Sequence, residues 1–98
     1  MHSTMHALIE SNRKQLVDLA RRRGLSNLRV FGSMARHDAH EASDVDLLVT
    51  LPAGHSALAL GGLLMDAQDL LGRHVDVVIE ASLHPGLREQ VLAGAIEL

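Results

Sequence analysis

The sequence of 98 residues contains no cysteine, tryptophan or tyrosine, and Phe31 is its single aromatic residue. The absence of cysteine excludes disulfides, thiolate metal sites and cysteine nucleophiles, and it fits a reducing cytoplasm. With one aromatic residue, the protein cannot rely on stacking to recognise a nucleobase. Hydrophobic residues still make up 47% of the chain. We therefore expect one small domain over residues 1–98, with an aliphatic core.

The chain also lacks an excess of basic residues, because its net charge is −3 and its pI is about 6.1. Proteins that bind nucleic acid usually carry a basic face, so direct binding to nucleic acid is not expected. The basic run 21–23 is predicted to close the first helix, where cations face the negative end of the helix dipole. Contact with an acidic partner or a triphosphate is the alternative.

Membrane and export signals are lacking as well. The first 13 residues do not show the charged and apolar regions of a signal peptide. The weakly polar stretch 57–65 is too short to span a bilayer. We expect a soluble, cytoplasmic protein.

The hydrophobic pattern alternates between helical and strand periods. It predicts helices over residues 4–23, 57–72 and 85–93, strands over residues 28–31, 45–51 and 74–79, and a short helical turn beginning at Ser33. This order predicts an α/β (α+β) domain with a small three-stranded sheet and helices packed against it. Strand order and direction do not follow from periodicity.

Three aspartates stand in or beside the predicted strands. Asp44 and Asp46 are two residues apart at the start of one strand, so both side chains point to one face. Asp76 interrupts the apolar run 75–79, where an unpaired carboxylate is costly. Each acid alone has an ordinary explanation, as a helix cap, a turn residue or an exposed acid. Together, on two strands expected to be neighbours, they indicate a site for a divalent cation such as Mg²⁺.

A second candidate element is Gly32-Ser33, which directly follows a predicted strand. Glycine allows close approach of the backbone, and a helical turn beginning here would direct N–H groups toward an anion. By itself the pair is equally typical of an ordinary strand-to-helix turn.

The two elements together carry a resemblance. Gly32-Ser33, ten intervening residues and then Asp44-Val45-Asp46 resemble the motif of nucleotidyltransferases of the DNA-polymerase-β superfamily. The stretch 71–78 resembles the strand that carries the third carboxylate in that superfamily. The resemblance covers residues 8–98 and is greatest to the minimal nucleotidyltransferase (MNT) subgroup, whose members are commonly antitoxin partners of HEPN-domain ribonuclease toxins.

The resemblance implies a nucleotidyltransferase fold and a role for each motif residue. Gly32 and Ser33 would hold the triphosphate of ATP. Asp44 and Asp46 would ligate two Mg²⁺ ions, and Asp76 would be a third ligand beside the attacking hydroxyl.

Three other residues near the motif are candidates for a role in the site. Arg36 would either neutralise phosphate charge or pair with a nearby acid. The sequence departs from the family at His37, where glycine is common, and this substitution would stiffen the loop. His37 and His40 are close enough to suggest a transition-metal site, but without a third ligand we expect them to be exposed.

Four functional interpretations remain open on this basis. The first is an antitoxin that transfers AMP from ATP to a tyrosine of a HEPN toxin, in a hetero-oligomer with that partner. The second is the catalytic subunit of a two-subunit transferase acting on a small molecule such as an aminoglycoside. The others are a non-catalytic binding antitoxin and a structural adaptor. The three carboxylates favour the first two interpretations, which are catalytic, because crowded negative charge without a function would be costly.

Overall fold

The computed structural model describes residues 6–36 and 43–98. The helices are α1 (Ala7–Ser11), α2 (Arg13–Arg22), α3 (Leu58–Leu71) and α4 (Pro85–Gly94). The strands are β1 (Ser26–Phe31), β2 (Val45–Thr50), β3 (Val75–Ile79) and β4 (Ile96–Glu97). Short 3₁₀ turns follow β1 at Gly32–Ala35 and β3 at Glu80–Ser82. The described elements confirm the predicted mixed α/β fold.

The strands form one mixed sheet in the order β3-β2-β1-β4. Strand β1 is antiparallel to both β2 and β4, whereas β2 and β3 are parallel. The prediction of three strands was wrong by one, because β4 contains only two residues and is too short to show a period. This strand is fixed by its partners: Leu98 N–H donates to the Leu28 carbonyl at 2.9 Å, and the Arg13 guanidinium donates to the Glu97 carbonyl at 2.7 Å.

The two faces of the sheet differ. One face packs against α1, α2 and α3 and forms an aliphatic core whose fully buried side chains include Ile9, Leu16, Val30, Val45, Leu47, Val49, Leu63 and Val75. Residues of β2 alternate between the faces, so Asp46 and Leu48 project to the other face. Helix α4, in which no residue is buried, contacts β1 and the turn after it. The second face is therefore open at the starting ends of β2 and β3, where Asp46 is partly exposed and Asp76 is exposed, whereas Leu48 farther along β2 is fully buried.

The first helix is interrupted, contrary to the prediction of a single helix over residues 4–23. Asn12 leaves helical geometry, with φ −111° and ψ 13°, and its side-chain amide donates to the Leu8 carbonyl at 2.9 Å. The side chain thus competes with the backbone hydrogen bonds that would continue the helix. Residues 4 and 5 lie outside the described part of the chain. None of the helices within residues 6–36 and 43–98 is long and apolar enough to cross a bilayer.

Candidate active site

The parallel pairing of β2 and β3 brings two of the candidate aspartates together. Asp46 is directly opposite Asp76 in the register, and Val45 is opposite Val75. Opposed residues of neighbouring strands project to the same face and lie about 5 Å apart. Asp46 and Asp76 therefore share the face that does not pack against the core.

Asp44 lies one residue before β2 and joins the same cluster. Its carboxylate Oδ1 is 3.6 Å from Nδ1 of His74, the residue that immediately precedes β3. One ligand atom each from Asp44, His74 and Asp76 can be chosen so that all three lie within 4.8 Å of one another. These three side chains are exposed, so the cluster is open to solvent.

The electrostatics show that Asp46 belongs to this cluster. Burial raises the pKa of Asp46, and the negative charges of Asp76 and Asp44 raise it further. The positive charge of His74 acts in the opposite direction. Both desolvation and repulsion thus oppose ionisation of the Asp46 carboxylate, and a bound cation would relieve the repulsion.

Gly32 allows the Asp46 carboxylate to lie where it does. The backbone at Gly32 has φ +71°, a left-handed conformation that favours glycine. A Cβ atom at this position would lie 2.5 Å from Asp46 Oδ2. The glycine is thus required twice, once by the backbone angle and once by close contact with the carboxylate.

Ser33 lies within the turn that begins at Gly32, and Arg36 directly follows that turn. Ser33 is partly buried within the 3₁₀ turn, and its carbonyl accepts from the Arg36 N–H at 3.2 Å. Arg36 is exposed and, with Gly32, lines a cavity of about 250 Å³ beside α4. Gly32 therefore lies close to Asp46 and also shares the wall of one cavity with Arg36.

His74 is the member of the cluster that sequence reasoning missed. Reading the strands in register would have found it, because Asp44-Val45-Asp46 and His74-Val75-Asp76 are parallel segments with polar residues at matching positions. Periodicity did not supply the strand pairing, so nothing in the sequence singled out this histidine. The predictions made for His37 and His40 lie outside the described residues.

The donor set fits a hard divalent cation. Carboxylate oxygens are the ligands that Mg²⁺ prefers, and Mg²⁺ usually takes one or two of them together with substrate phosphates. The cluster offers three carboxylates, of which Asp44 and Asp76 face solvent and the partly buried Asp46 is repelled by both. A bound Mg²⁺ with a nucleotide triphosphate would satisfy both the charge and the open coordination positions.

The fold and this cluster together define a class of enzyme, which comparison with known proteins identifies. Residues 13–98 match the family described as nucleotidyltransferase domain. The chain belongs to this family, and it is a nucleotidyltransferase. The resemblance predicted from Gly32-Ser33 and the paired aspartates is thereby confirmed.

One named relative and two solved structures are similar to most of the chain. The chain is 35% identical over 88 residues to the protein adenylyltransferase MntA of Thermococcus cleftensis, covering 90% of this chain and 86% of that protein. A solved structure assigned provisionally as a minimal nucleotidyltransferase superposes with a TM-score of 0.84 at 43% identity, covering 99% of this chain and all of the other. A solved toxin–antitoxin complex with AMP-PNP superposes with a TM-score of 0.75 at 25% identity, covering 88% of this chain and 71% of that one.

Proposed function

We propose that this protein transfers AMP from ATP, with Mg²⁺, to a tyrosine hydroxyl of a partner HEPN ribonuclease toxin, and so acts as an antitoxin. Two comparisons support the proposal: one relative is named a protein adenylyltransferase, and one structural neighbour is a toxin–antitoxin complex with a bound ATP analogue. The observation that carries it is the convergence of Asp44, Asp46 and Asp76 beside the Gly32 turn.

The sheet order supports different roles for the three carboxylates. Asp46 is next to Gly32 on the β1 side, whereas Asp76 lies one strand farther away on β3. In the proposed arrangement, Gly32, Ser33 and Arg36 hold the triphosphate, and Asp44 and Asp46 ligate the Mg²⁺ ions. Asp76 completes the ligand set on the side that the acceptor approaches.

The chemistry is an in-line displacement at the α-phosphorus of ATP. The acceptor oxygen forms a bond to this phosphorus, the bond to the pyrophosphate oxygen breaks, and the acceptor proton passes to the Asp76 carboxylate. Bound Mg²⁺ would neutralise the triphosphate and make the acceptor hydroxyl more acidic. The protein contributes position and preorganised charge and forms no covalent intermediate.

The exposure of the acceptor side favours a macromolecular acceptor. Asp44, His74 and Asp76 are all exposed. A partner protein that carries the hydroxyl would cover this surface and complete the site. An AMP group added near an RNA-binding surface would then oppose RNA binding through its negative charge.

Intact-mass spectrometry of the partner toxin tests the proposal. The toxin is incubated with this protein, ATP and Mg²⁺, and we expect its mass to rise in AMP-sized steps at a tyrosine. Asp46→Asn and Asp76→Asn should each abolish the addition. Asp69→Asn, which changes an exposed acid of α3, serves as the matched control and should leave the addition intact.

Two results would contradict the proposal. If the toxin gains no mass and is still neutralised, protection occurs by binding alone. If the mass is added equally by Asp46→Asn and Asp76→Asn, these carboxylates are not part of the transferase site.

A further inference from the structure

His74 occupies a fourth corner of the carboxylate cluster. Because Val45 pairs with Val75 in parallel strands, the residues before them, Asp44 and His74, are also neighbours. Asp46 and Asp76 form the next row on the same face. The side chains thus form two facing rows, and one of the four is an imidazole.

The backbone on both sides of this corner is held by specific hydrogen bonds. The Val45 N–H donates to the His74 carbonyl at 3.0 Å, which ties the start of β2 to the start of β3. The Arg73 guanidinium donates to the Ser43 carbonyl at 3.2 Å, and the Val75 N–H donates to Gln68 Oε1 at 3.2 Å. The backbone segments that carry His74 and Asp44 are therefore held in place by these hydrogen bonds.

The distances in the cluster suit a shared cation better than a direct contact. His74 Nδ1 and Asp44 Oδ1 are 3.6 Å apart, which is longer than a normal hydrogen bond. Two ligands that each lie about 2.1 Å from one metal ion are separated from each other by about 3–4 Å. The three ligand atoms of Asp44, His74 and Asp76 lie within 4.8 Å of one another, so small side-chain rotations would bring them into this range.

Asp46 is placed differently from these three residues. Its carboxylate is directed toward Gly32, where a Cβ atom would meet Oδ2 at 2.5 Å. The group of potential ligands consists of Asp44, His74 and Asp76 without Asp46. Asp44, His74 and Asp76 therefore form a subsite with one nitrogen and two carboxylate ligands. It lies beside the Asp46 carboxylate, which faces Gly32.

We propose that His74 is a direct nitrogen ligand that makes this subsite prefer a transition-metal divalent cation, such as Mn²⁺, Fe²⁺ or Co²⁺, over Mg²⁺. Imidazole nitrogen suits transition metals, whereas Mg²⁺ takes oxygen ligands. The affinity that imidazole confers rises from Mn²⁺ to Co²⁺. The inference rests on the proposed function only in assuming that Asp44 and Asp76 bind a cation.

Co²⁺ binding to the whole protein, measured with and without AMP-PNP, tests this inference. Calorimetry gives the affinities for Co²⁺ and Mg²⁺, and proton NMR detects the strongly shifted ring proton of a histidine bound to paramagnetic Co²⁺. We expect His74→Gln to weaken Co²⁺ binding roughly tenfold or more, to change Mg²⁺ binding by less than about twofold, and to remove the shifted signal. His55→Gln is the control, because His55 is exposed and lies beyond the opposite end of β2.

The outcomes separate this inference from the proposed function. If wild-type protein and His74→Gln bind Co²⁺ equally while Asp76→Asn binds neither Co²⁺ nor Mg²⁺, the carboxylates form a cation site and the role of His74 is wrong. If wild-type protein binds neither cation in the presence of AMP-PNP, both this inference and the metal part of the proposed function are wrong.

Discussion

The pKa values of carboxylates at the two ends of the parallel pair β2–β3 are shifted in opposite directions. At the starting end, burial and the charges of Asp76 and Asp44 raise the pKa of Asp46. Beyond the other end, a hydrogen bond from Arg29 lowers the pKa of Glu80, and the charges of Arg29 and Arg88 lower it further. The Arg29 and Glu80 side chains meet at 2.7 Å, and Arg88 approaches Glu80 at 3.5 Å.

This contrast distinguishes a structural carboxylate from a candidate functional one. Glu80 receives its positive partners from the chain itself, so its charge contributes to folding. The carboxylates at the starting end crowd together, with His74 as the basic group that opposes their repulsion. Their mutual repulsion lowers stability, which is typical of a site arranged for a ligand rather than for stability.

The largest effect that we expect comes from the contact between Gly32 and Asp46. Gly32→Ala should strain the left-handed backbone by about 1–2 kcal/mol and push the Asp46 carboxylate out of place. A displacement of about 1 Å in such a site can reduce the rate about a hundredfold. AMP transfer and the rise in Tm on adding Mg²⁺ and ATP should therefore both fall sharply.

Gly54→Ala provides the control for this experiment. Gly54 also has a left-handed backbone, at φ +85°, but a Cβ atom there would meet nothing within 4 Å. This variant should lose a similar amount of stability from backbone strain and keep its transferase activity. Equal activity in the two variants would show that the position of the Asp46 carboxylate does not matter.

Removing the charge at each end of the strand pair should change stability in opposite directions. In metal-free buffer at pH 7, we expect Asp46→Asn to raise Tm by a few degrees and Glu80→Gln to lower it. The folded pKa of Asp46 is raised, so its unfavourable contribution appears as the pH rises through that pKa and is absent below about pH 4. The folded pKa of Glu80 is lowered, so its favourable contribution is present above about pH 4.3 and is lost as the pH falls through the folded pKa.

Thermal melts of both variants and the wild type between pH 3 and pH 8 measure these differences. The two curves should diverge from the wild type toward neutral pH and converge with it in acid. A fall in Tm for Asp46→Asn at pH 7 without metal would mean that the Asp46 carboxylate already has a stabilising partner within the chain.

The smallest effect should distinguish the two arginines at Glu80. The Arg29 side chain is 16% exposed and that of Arg88 is 47% exposed. Exposed ion pairs contribute little to stability, so Arg88→Gln should change Tm by a degree or less. Arg29→Gln should lower Tm by more than Arg88→Gln but by no more than Glu80→Gln, because it leaves the Glu80 carboxylate with Arg88 as a more distant partner. Thermal melts at neutral pH measure the change in Tm of each variant. Equal losses of Tm in the two variants would contradict this ranking.

Part of the fold and of the carboxylate cluster could be predicted from the sequence. The largely apolar run of residues 45–51, stopped by Pro52, predicted β2, and the spacing of Asp44 and Asp46 placed both on one face. Asp76 was identified because a charge interrupts a run of valines. His74 and Glu80 were not identified, because their significance depends on strand register and on a contact with Arg29, 51 positions away in the chain. Likewise, β4 depends on pairing with β1 and shows no period of its own.

The most direct measurement of the central claim is the position of a bound cation. Crystals grown with Mn²⁺ and AMP-PNP should show an anomalous peak among Asp44, Asp46, His74 and Asp76, at about 2.1 Å from carboxylate oxygens. The triphosphate should lie toward Gly32 and Arg36. A nucleotide bound elsewhere, or a metal peak confined to other acids such as Asp66 and Asp69 of α3, would contradict the account.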